Sequence, residues 1–271
     1  MNKKQFLLFL YVCLIVLSSQ LLAQGLAKKQ ETKPDSLPTR TLNQLTVKGV
    51  KSTVVEALPA VYGTYLMGGK RSEVVKLSEV DINVAEKTPR QLFARIPGVF
   101  VYDMDGTGNQ INVSTRGLDP HRSWENNIRQ NGVITNSDMY GYPASHYSAP
   151  MESVDRIEFV RGTASLQYGA QFGGMLNYVT KRADSTRQFG FETINSVGSY
   201  GLLSSYNAIG GRVGKWTYYA YYYRRHSDGY RKNSESNADA QLARLHYQAN
   251  QRLGITAEFG RSAYTYQIPG P

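Results

Sequence analysis

The sequence predicts an exported chain with a mixed α+β domain, followed by the first antiparallel strands of a transmembrane β-barrel. Three features predict this fold class. A short apolar segment stands near the N-terminus, helical and strand-like patterns mix over residues 70–183, and apolar and polar residues alternate within residues 184–271. The 20 tyrosines and 25 glycines among 271 residues also favour β structure with many turns.

Residues 1–23 have the organisation of a secretory signal peptide. Lys3 and Lys4 precede the apolar run FLLFLYVCLIVL at 6–17, and Ala23 offers a small residue for cleavage. The run is too short for a transmembrane helix. Its Cys13 is the single cysteine of the chain, so we expect a mature protein without disulfides or thiol chemistry. A membrane location would then require a β-barrel, because no later apolar stretch is long enough for a helix.

Residues 24–69 form a polar linker in this interpretation. Within it, the segment LNQLTVKGV (42–50) places Leu45 and Val47 in alternation with Thr46 and Lys48. A short strand-forming segment beside a polar arm can pair with the exposed strand edge of a partner. The alternative is that it forms the first strand of the following domain.

Residues 70–183 contain both helical and strand-like patterns. The stretch EKTPRQLFARIPGV (86–99) has helical spacing and ends at Pro97-Gly98. Strands are predicted at 99–103, at 111–118 and at 126–135, and another precedes the glycine-rich corner of DRIEFVRGTASLQYGAQFGGMLNYVTK (155–181). We therefore expect an α+β domain over this range.

Residues 184–271 predict antiparallel strands. WTYYAYYYRR (216–225) is rich in tyrosine, ARLHYQA (243–249) alternates, and GITAEFGRSA (254–263) sets Ile255, Ala257 and Phe259 on one face. The segments SDG, KNSESNAD and NQRLG between them are predicted turns or loops. Alternation with aromatic strand ends is typical of an outer-membrane barrel, although a soluble β-sandwich gives a similar pattern.

Nucleic-acid binding is not expected. The net charge is +10, but the basic residues are scattered and no nucleic-acid motif is present. The glycines of the corner fit neither a dinucleotide fingerprint nor a phosphate loop. In the separate stretch GTYLMGGKRS (63–72), Gly69 stands where a phosphate loop requires lysine. The corner is therefore interpreted as architectural.

Catalytic and metal-binding motifs are also missing from the sequence. The stretch DMDGTG (103–108) begins like a calcium-binding loop. Ser114, however, stands at the position where such a loop requires glutamate. The four histidines lack metal-binding spacing, and no nucleophile elbow is found. We expect neither enzyme activity nor a cofactor.

Three stretches resemble the plug domain of TonB-dependent outer-membrane receptors. They are LFARIPGVFVYDMDGTGNQINVSTRGL (92–118), QNGVITNSD (130–138) and MESVDRIEFVRGTASLQYGAQFGGMLNYVTKRA (151–183), in the order of the family. Residues 184–271 are similar, less specifically, to the first barrel strands, and the ferric-citrate and siderophore receptors are the closest branch.

The resemblance implies energy-coupled import of a ferric chelate across the outer membrane. The expected partners are TonB with its inner-membrane energising complex, the chelate, and outer-membrane lipid, and nucleic acid is not among them. The plug would occupy the lumen of a barrel of ~22 strands. Leu45, Thr46 and Val47 would form the TonB box and pair with TonB as a strand.

Two further groups of residues follow from the resemblance. The corners Arg116-Gly117 and Arg161-Gly162 would turn the chain while each arginine contacts acidic groups of the barrel wall. The loop SDMYGYPASHY (137–147) would face outward and bind the anionic chelate, and the alternative is that its tyrosines pack against barrel loops. The side chains expected to bind are Tyr140, Tyr142, His146 and Tyr147.

The length raises a further expectation. Only 88 residues follow the plug (184 to 271), enough for four or five strands, so we expect a fragment of a longer receptor or a truncated gene. The alternatives are a soluble periplasmic plug-like module that binds a ligand, and a TonB-dependent importer of another nutrient.

Overall fold

The computed structural model describes residues 55–62, 65–67, 72–80, 82–85, 89–93, 96–102, 112–136, 149–161, 167 and 173–267. All of them belong to one compact unit, Lys51–Pro271. Within the described residues, no helix has the length and apolar character that a membrane crossing requires.

The described residues between 55 and 181, which we call the mixed module, contain ten strands and a short helix. In chain order these are β1 (Val55–Ala57), β2 (Val61–Tyr62), β3 (Tyr65–Leu66), β4 (Glu73–Lys76), α1 (Pro89–Phe93), β5 (Val99–Tyr102), β6 (Asn112–Thr115), β7 (Asn126–Gln130), β8 (Val133–Ile134), β9 (Val154–Val160) and β10 (Gly174–Thr180). Short 3₁₀ turns lie at Leu77–Glu79, His121–Ser123 and Met151–Ser153.

The main sheet of the mixed module has six strands in the order β1-β4-β9-β10-β7-β8. Strands β10 and β7 are parallel, and the other neighbours are antiparallel. All seven residues of β10 are buried, because this strand is central and is covered on both faces. Two small two-stranded sheets, β2-β3 and β5-β6, complete the module.

The apolar core of the mixed module lies between the main sheet, α1 and the β5-β6 pair. It is built from aliphatic residues and phenylalanine, including Leu92, Phe93, Ile157, Phe159 and Leu176. Leu92, Phe93 and Ile96, which lie at helical spacing in the helix predicted over 86–99, are all buried in this core. Within the described residues α1 spans Pro89–Phe93, and the chain turns at Gly98, where φ is +73°.

The segment 126–135, predicted as a single strand, is a hairpin of β7 and β8. Its two-residue turn is Asn131-Gly132, with φ of 51° and 84°. Positive φ at both turn positions matches the twist of paired strands, and Asn-Gly is the favoured pair for this geometry.

The described residues from 190 to 267, which we call the C-terminal sheet, form an antiparallel meander of five strands. They are β11 (Gly190–Val197), β12 (Leu203–Val213), β13 (Trp216–Ser227), β14 (Ser236–Gln248) and β15 (Gly254–Tyr266). The count agrees with the four or five strands expected. The loop predicted over KNSESNAD is shorter than expected, because pairing of Ser227 with Ser236 extends β14 into it.

The two ends of the C-terminal sheet differ in the length of their connections. Residues 214–215 and 249–253 connect the strands at one end, which we call the short-turn end. Residues 198–202 and 228–235 connect them at the other, the long-loop end. The mixed module enters β11 at the short-turn end, through residues 181–189.

Candidate functional site

One face of the C-terminal sheet packs against the mixed module. Its buried side chains are mostly tyrosine and alanine, from alternate positions of β12, β13 and β14. They are Tyr206, Ala208, Tyr219, Tyr221, Tyr223, Ala238, Ala240 and Leu242. The interface between module and sheet therefore combines aromatic packing with polar groups that need partners.

Glu152 makes the first polar contact across this interface. Its side chain is buried, and its Oε1 accepts a hydrogen bond from Ser204 Oγ at 3.1 Å. A carboxylate of the mixed module is thus held by a side chain of β12 near the long-loop end.

Arg225 makes the second contact. It is 4% exposed, and its Nε donates to the carbonyl oxygen of Ala85 at 2.9 Å. Its Nη1 donates to Ser236 Oγ at 3.1 Å, so one guanidinium joins β13, β14 and the mixed module. Burial of a charged group makes each of these hydrogen bonds costly to lose unless water replaces the lost partner.

Asn131 lies at the centre of a third contact, near the short-turn end. Its Oδ1 accepts from the amide of Thr180 at 2.9 Å and from Thr180 Oγ1 at 2.7 Å. Its Nδ2 donates to Glu258 Oε1 at 2.9 Å. Glu258 also pairs with Arg244 at 2.6 Å, and Arg244 contacts Thr180 Oγ1 at 3.4 Å. We call these four residues the Asn131 cluster.

Lys181 fixes the start of the connection between module and sheet. Its amide donates to the carbonyl oxygen of Ser153 at 2.8 Å. Its Nζ pairs with Glu192 and lies 5.7 Å from the centre of the Tyr206 ring. The chain therefore enters β11 in a defined position.

A cavity of about 620 Å³ lies between the mixed module and the C-terminal sheet. Its lining includes four arginines, Arg129, Arg156, Arg182 and Arg244, against two glutamates, Glu158 and Glu258. Residues of the sheet that line it belong to the starts of β13 and β15 and the end of β14, which places it at the short-turn end.

The opposite face of the C-terminal sheet points away from the mixed module and consists of rows of paired residues. Rows near the short-turn end are apolar and exposed; Phe191 and Phe259 are 61% and 64% exposed. One such row is Phe191, Ile209, Ala220, Ala243 and Phe259. Rows nearer the long-loop end are polar, such as Thr193, Asn207, Tyr222, Gln241 and Arg261. The expected alternation of apolar outward and polar inward residues therefore holds for only part of each strand.

When two surfaces joined by hydrogen bonds and ion pairs separate, water can take the place of each lost partner. Separating two interlocked apolar surfaces costs more free energy, because water does not replace apolar contacts. The interface is thus suited to opening without unfolding of the mixed module. Among the described residues, no group of three His, Asp or Glu side chains is placed to hold a metal ion.

A family model for the TonB-dependent receptor plug domain matches residues 70–175. The chain carries a TonB-dependent receptor plug domain. The matched residues lie within the mixed module, which we call the plug domain from here on, and the family resemblance of the sequence is confirmed.

Solved structures share this fold. The unliganded ferric citrate transporter FecA has a TM-score of 0.59 at 20% identity, over 73% of this chain and 32% of that one. The copper transporter OprC has a TM-score of 0.58 at 14% identity, over 74% and 31%. The ferripyoverdine receptor of the outer membrane of Pseudomonas aeruginosa has a TM-score of 0.56 at 19% identity, over 71% and 25%. The chain thus spans about a third or less of these proteins.

The predicted corner at Arg116-Gly117 is a sharp turn, with φ of 57° and 74°, and both residues are exposed. Arg161 is 8% exposed, and the partners seen for it belong to the plug domain: the Glu73 carboxylate and, at 2.8 Å, the carbonyl oxygen of Pro97. Gly162 lies outside the described residues. Contact of either arginine with a barrel wall remains a prediction.

The other predicted site residues also lie outside the described residues. These are the TonB box, Leu45, Thr46 and Val47, and the ligand-binding side chains Tyr140, Tyr142, His146 and Tyr147. Both assignments stay predictions.

Sequence reasoning missed the residues that join the plug domain to the sheet, namely Glu152, Asn131, Arg225 and Glu258. A signal for some of them was available. Arg225 has the same strand parity as Tyr219, Tyr221 and Tyr223, and Glu258 has the parity opposite to Phe259. Once the tyrosine face is known to point toward the plug domain, the same orientation is predicted for the side chains of Arg225 and Glu258.

Proposed function

We propose that this chain belongs to a TonB-dependent outer-membrane receptor that imports a ferric chelate, a siderophore or ferric citrate. The observation that carries the proposal is the polar interface between a plug domain and the antiparallel sheet that follows it. The plug domain has an apolar core of its own, so it can shift against the sheet as a folded body. We do not propose any enzymatic activity.

The outward face of the C-terminal sheet supports a membrane location. Its exposed apolar rows would contact lipid, and its polar rows would extend beyond the hydrocarbon. Strands β13, β14 and β15 have 12, 13 and 13 residues, whereas ~9–11 residues suffice to cross a bilayer. A soluble periplasmic module would expose these apolar rows to water, which argues against that alternative.

The difference between the two ends of the sheet supports an orientation. Outer-membrane barrels have short periplasmic turns and longer outward loops. The short-turn end would then face the periplasm, where the linker with Leu45, Thr46 and Val47 could pair with TonB as a strand. Work by the inner-membrane complex on this segment would loosen the polar interface.

Recognition of the ligand is assigned to the loop that contains Tyr140, Tyr142, His146 and Tyr147. Hydroxyl and imidazole donors beside aromatic faces suit an anionic chelate whose iron is already coordinated. Import of another nutrient is the second candidate, because the fold is shared with a copper transporter as well as with iron-chelate receptors.

Uptake of radioactive iron as ferric citrate tests the proposal. The complete reading frame that carries this sequence would be expressed in cells lacking their own ferric-chelate receptors, with and without TonB. Uptake should require TonB and fall to background in Val47→Pro, since proline removes a strand hydrogen-bond donor, while Val47→Ile retains uptake.

Other outcomes of this assay would contradict the proposal. Uptake that is equal with and without TonB, or equal in Val47→Pro and wild type, rejects TonB coupling. TonB-dependent uptake of a copper complex but of no ferric chelate transfers the proposal to the second candidate.

A further inference from the structure

The cavity at the short-turn end is a built chamber with an excess of positive charge. Its volume of about 620 Å³ falls within the ~300–1,000 Å³ range of small-molecule sites. Four arginines and two glutamates line it, which gives a formal charge of +2 from these six side chains. Such a chamber favours an anion over a neutral solute.

The walls of the cavity are held in place by hydrogen bonds. Asn177 Nδ2 donates to Glu158 Oε2 at 2.9 Å, and Asn177 Oδ1 accepts from the amide of Gly132 at 2.9 Å. Glu158 is paired with Arg156 at 2.9 Å, and Glu258 with Arg244 at 2.6 Å. Both lining glutamates are thus engaged by arginines, and a ligand meets a preorganised surface.

Arg182 is the lining arginine best placed to meet an incoming ligand. It is exposed, and it follows Lys181, whose backbone and side chain are both fixed. Its guanidinium can bind a carboxylate with two parallel hydrogen bonds. Arg129 lines the same cavity and is oriented by the carbonyl oxygen of Gly132 at 2.6 Å.

We propose that this cavity is a second binding site, for a small oxygen-rich anion that carries carboxylates, on the side of the plug domain that faces the short-turn end. The inference rests on the proposed function, and it adds a site that an anionic chelate occupies after leaving the outward loop. The chelate would be held by Arg182 and Arg129 before it enters the periplasm.

Calorimetric titration of the purified full chain in detergent with citrate tests this site. The decisive variant is Arg182→Gln, and the matched control is Arg187→Gln, an exposed arginine of the same segment that pairs with Asp184. Removal of one charged donor should weaken citrate binding about tenfold. The control should stay within about twofold of the wild type, because surface pairs contribute little.

Arg182→Lys separates charge from geometry. Lysine keeps the charge but lacks the planar fork, so its affinity should fall between those of the wild type and Arg182→Gln. Sorbitol, a neutral polyol, should not compete with citrate.

Two results would overturn the second site: no saturable citrate binding by the wild type, or equal affinities of the wild type and Arg182→Gln. Uptake measured in parallel separates this failure from that of the proposed function. If iron uptake depends on TonB but the wild type and Arg182→Gln bind citrate equally well, the second site is rejected and the proposed function is retained. Citrate binding that depends on Arg182, without TonB-dependent uptake, supports the cavity as an anion site and rejects the proposed function.

Discussion

The plug domain and the C-terminal sheet bury opposite kinds of surface. The plug domain encloses aliphatic side chains and phenylalanine, and Phe159 and Leu176 have no exposed area. The C-terminal sheet buries tyrosine and small residues on the face toward the plug domain, and it exposes Phe191, Ile255 and Phe259 on the other face.

This difference shows how each region is stabilised. The plug domain has the closed apolar core of a water-soluble fold, which is what allows it to remain folded when its surroundings change. The sheet has its apolar rows on the outside, and its buried face depends on polar partners from the plug domain. The two regions should therefore respond differently to matched substitutions.

The largest expected effect is that of Phe159→Ala. Removing a fully buried phenylalanine should cost about 3–5 kcal/mol of plug stability. Hydrogen exchange followed by mass spectrometry in the full chain should show faster exchange across β9 and β10. Phe259→Ala, which removes an exposed phenylalanine of the sheet, is the control and should leave plug exchange unchanged. Equal effects of both substitutions would remove the distinction between the regions.

Gly174→Ala should have the next largest effect. A Cβ at Gly174 would lie 2.5 Å from the carbonyl oxygen of Val160, and φ is +117°. We expect a cost of about 2–3 kcal/mol, measured as loss of protection at the β9-β10 pair. Gly117→Ala is the control, because its φ is also positive at +74° but its Cβ would meet nothing within 4 Å. A larger loss in the control would contradict the packing described for β10.

Asn131 tests the link between the two regions. Asn131→Gly keeps the turn conformation and removes the side chain, so the hydrogen bonds to Thr180 and Glu258 are lost. The cost should be about 1–2 kcal/mol, visible as roughly tenfold faster exchange of the Thr180 amide for each 1.4 kcal/mol. Asn131→Ala should cost more, because alanine disfavours the left-handed backbone at φ 51°. If neither substitution changes Thr180 exchange, the Asn131 cluster does not hold the interface.

The smallest effect concerns the connection between the regions and depends on pH. Hydrogen bonds from the side chain and amide of Thr186, together with nearby Arg187, lower the pKa of Asp184 below its ordinary value of 3.8. A lowered pKa stabilises the folded connection above pH 3.8, and this contribution is lost as pH falls through the lower pKa of the folded state. Exchange of the Thr186 amide, followed by mass spectrometry across the acid range and corrected for its intrinsic pH dependence, should increase slightly for the wild type as pH falls. Asp184→Asn should show no such acid dependence. If the variant shows the same acid dependence as the wild type, Asp184 is not the group responsible.

Much of the fold followed from local patterns. Leu92, Phe93 and Ile96 at helical spacing predicted a helix over 86–99. The alternation of 126–135 predicted extended chain, which forms the hairpin of β7 and β8. The glycine corner was interpreted as architectural, and Gly173 and Gly174 do lie in close approach to residues of β7 and β9 and the residue before β7. Strands β11 and β12 were not located individually, since Ser, Asn and Gly interrupt their alternation.

The site was harder to predict because it depends on contacts between distant parts of the chain. Asn131 and Glu258 are 127 positions apart, and Arg225 and Ala85 are 140 apart. Alternation shows which side chains share a face of a strand, but it does not show what that face meets. The pairing of Arg161 with Glu73 likewise depends on β4 lying beside β9, which no local pattern indicates.

The central claim is that the outward apolar rows of the C-terminal sheet contact lipid while its other face contacts the plug domain. Nitroxide labels at Phe259→Cys and Asp239→Cys test it directly in membranes, since Cys13 is the only other cysteine of the sequence. Spin-label relaxation should show position 259 accessible to oxygen and protected from a water-soluble nickel chelate, with position 239 accessible to the chelate. Free access of the chelate to position 259 would contradict the account.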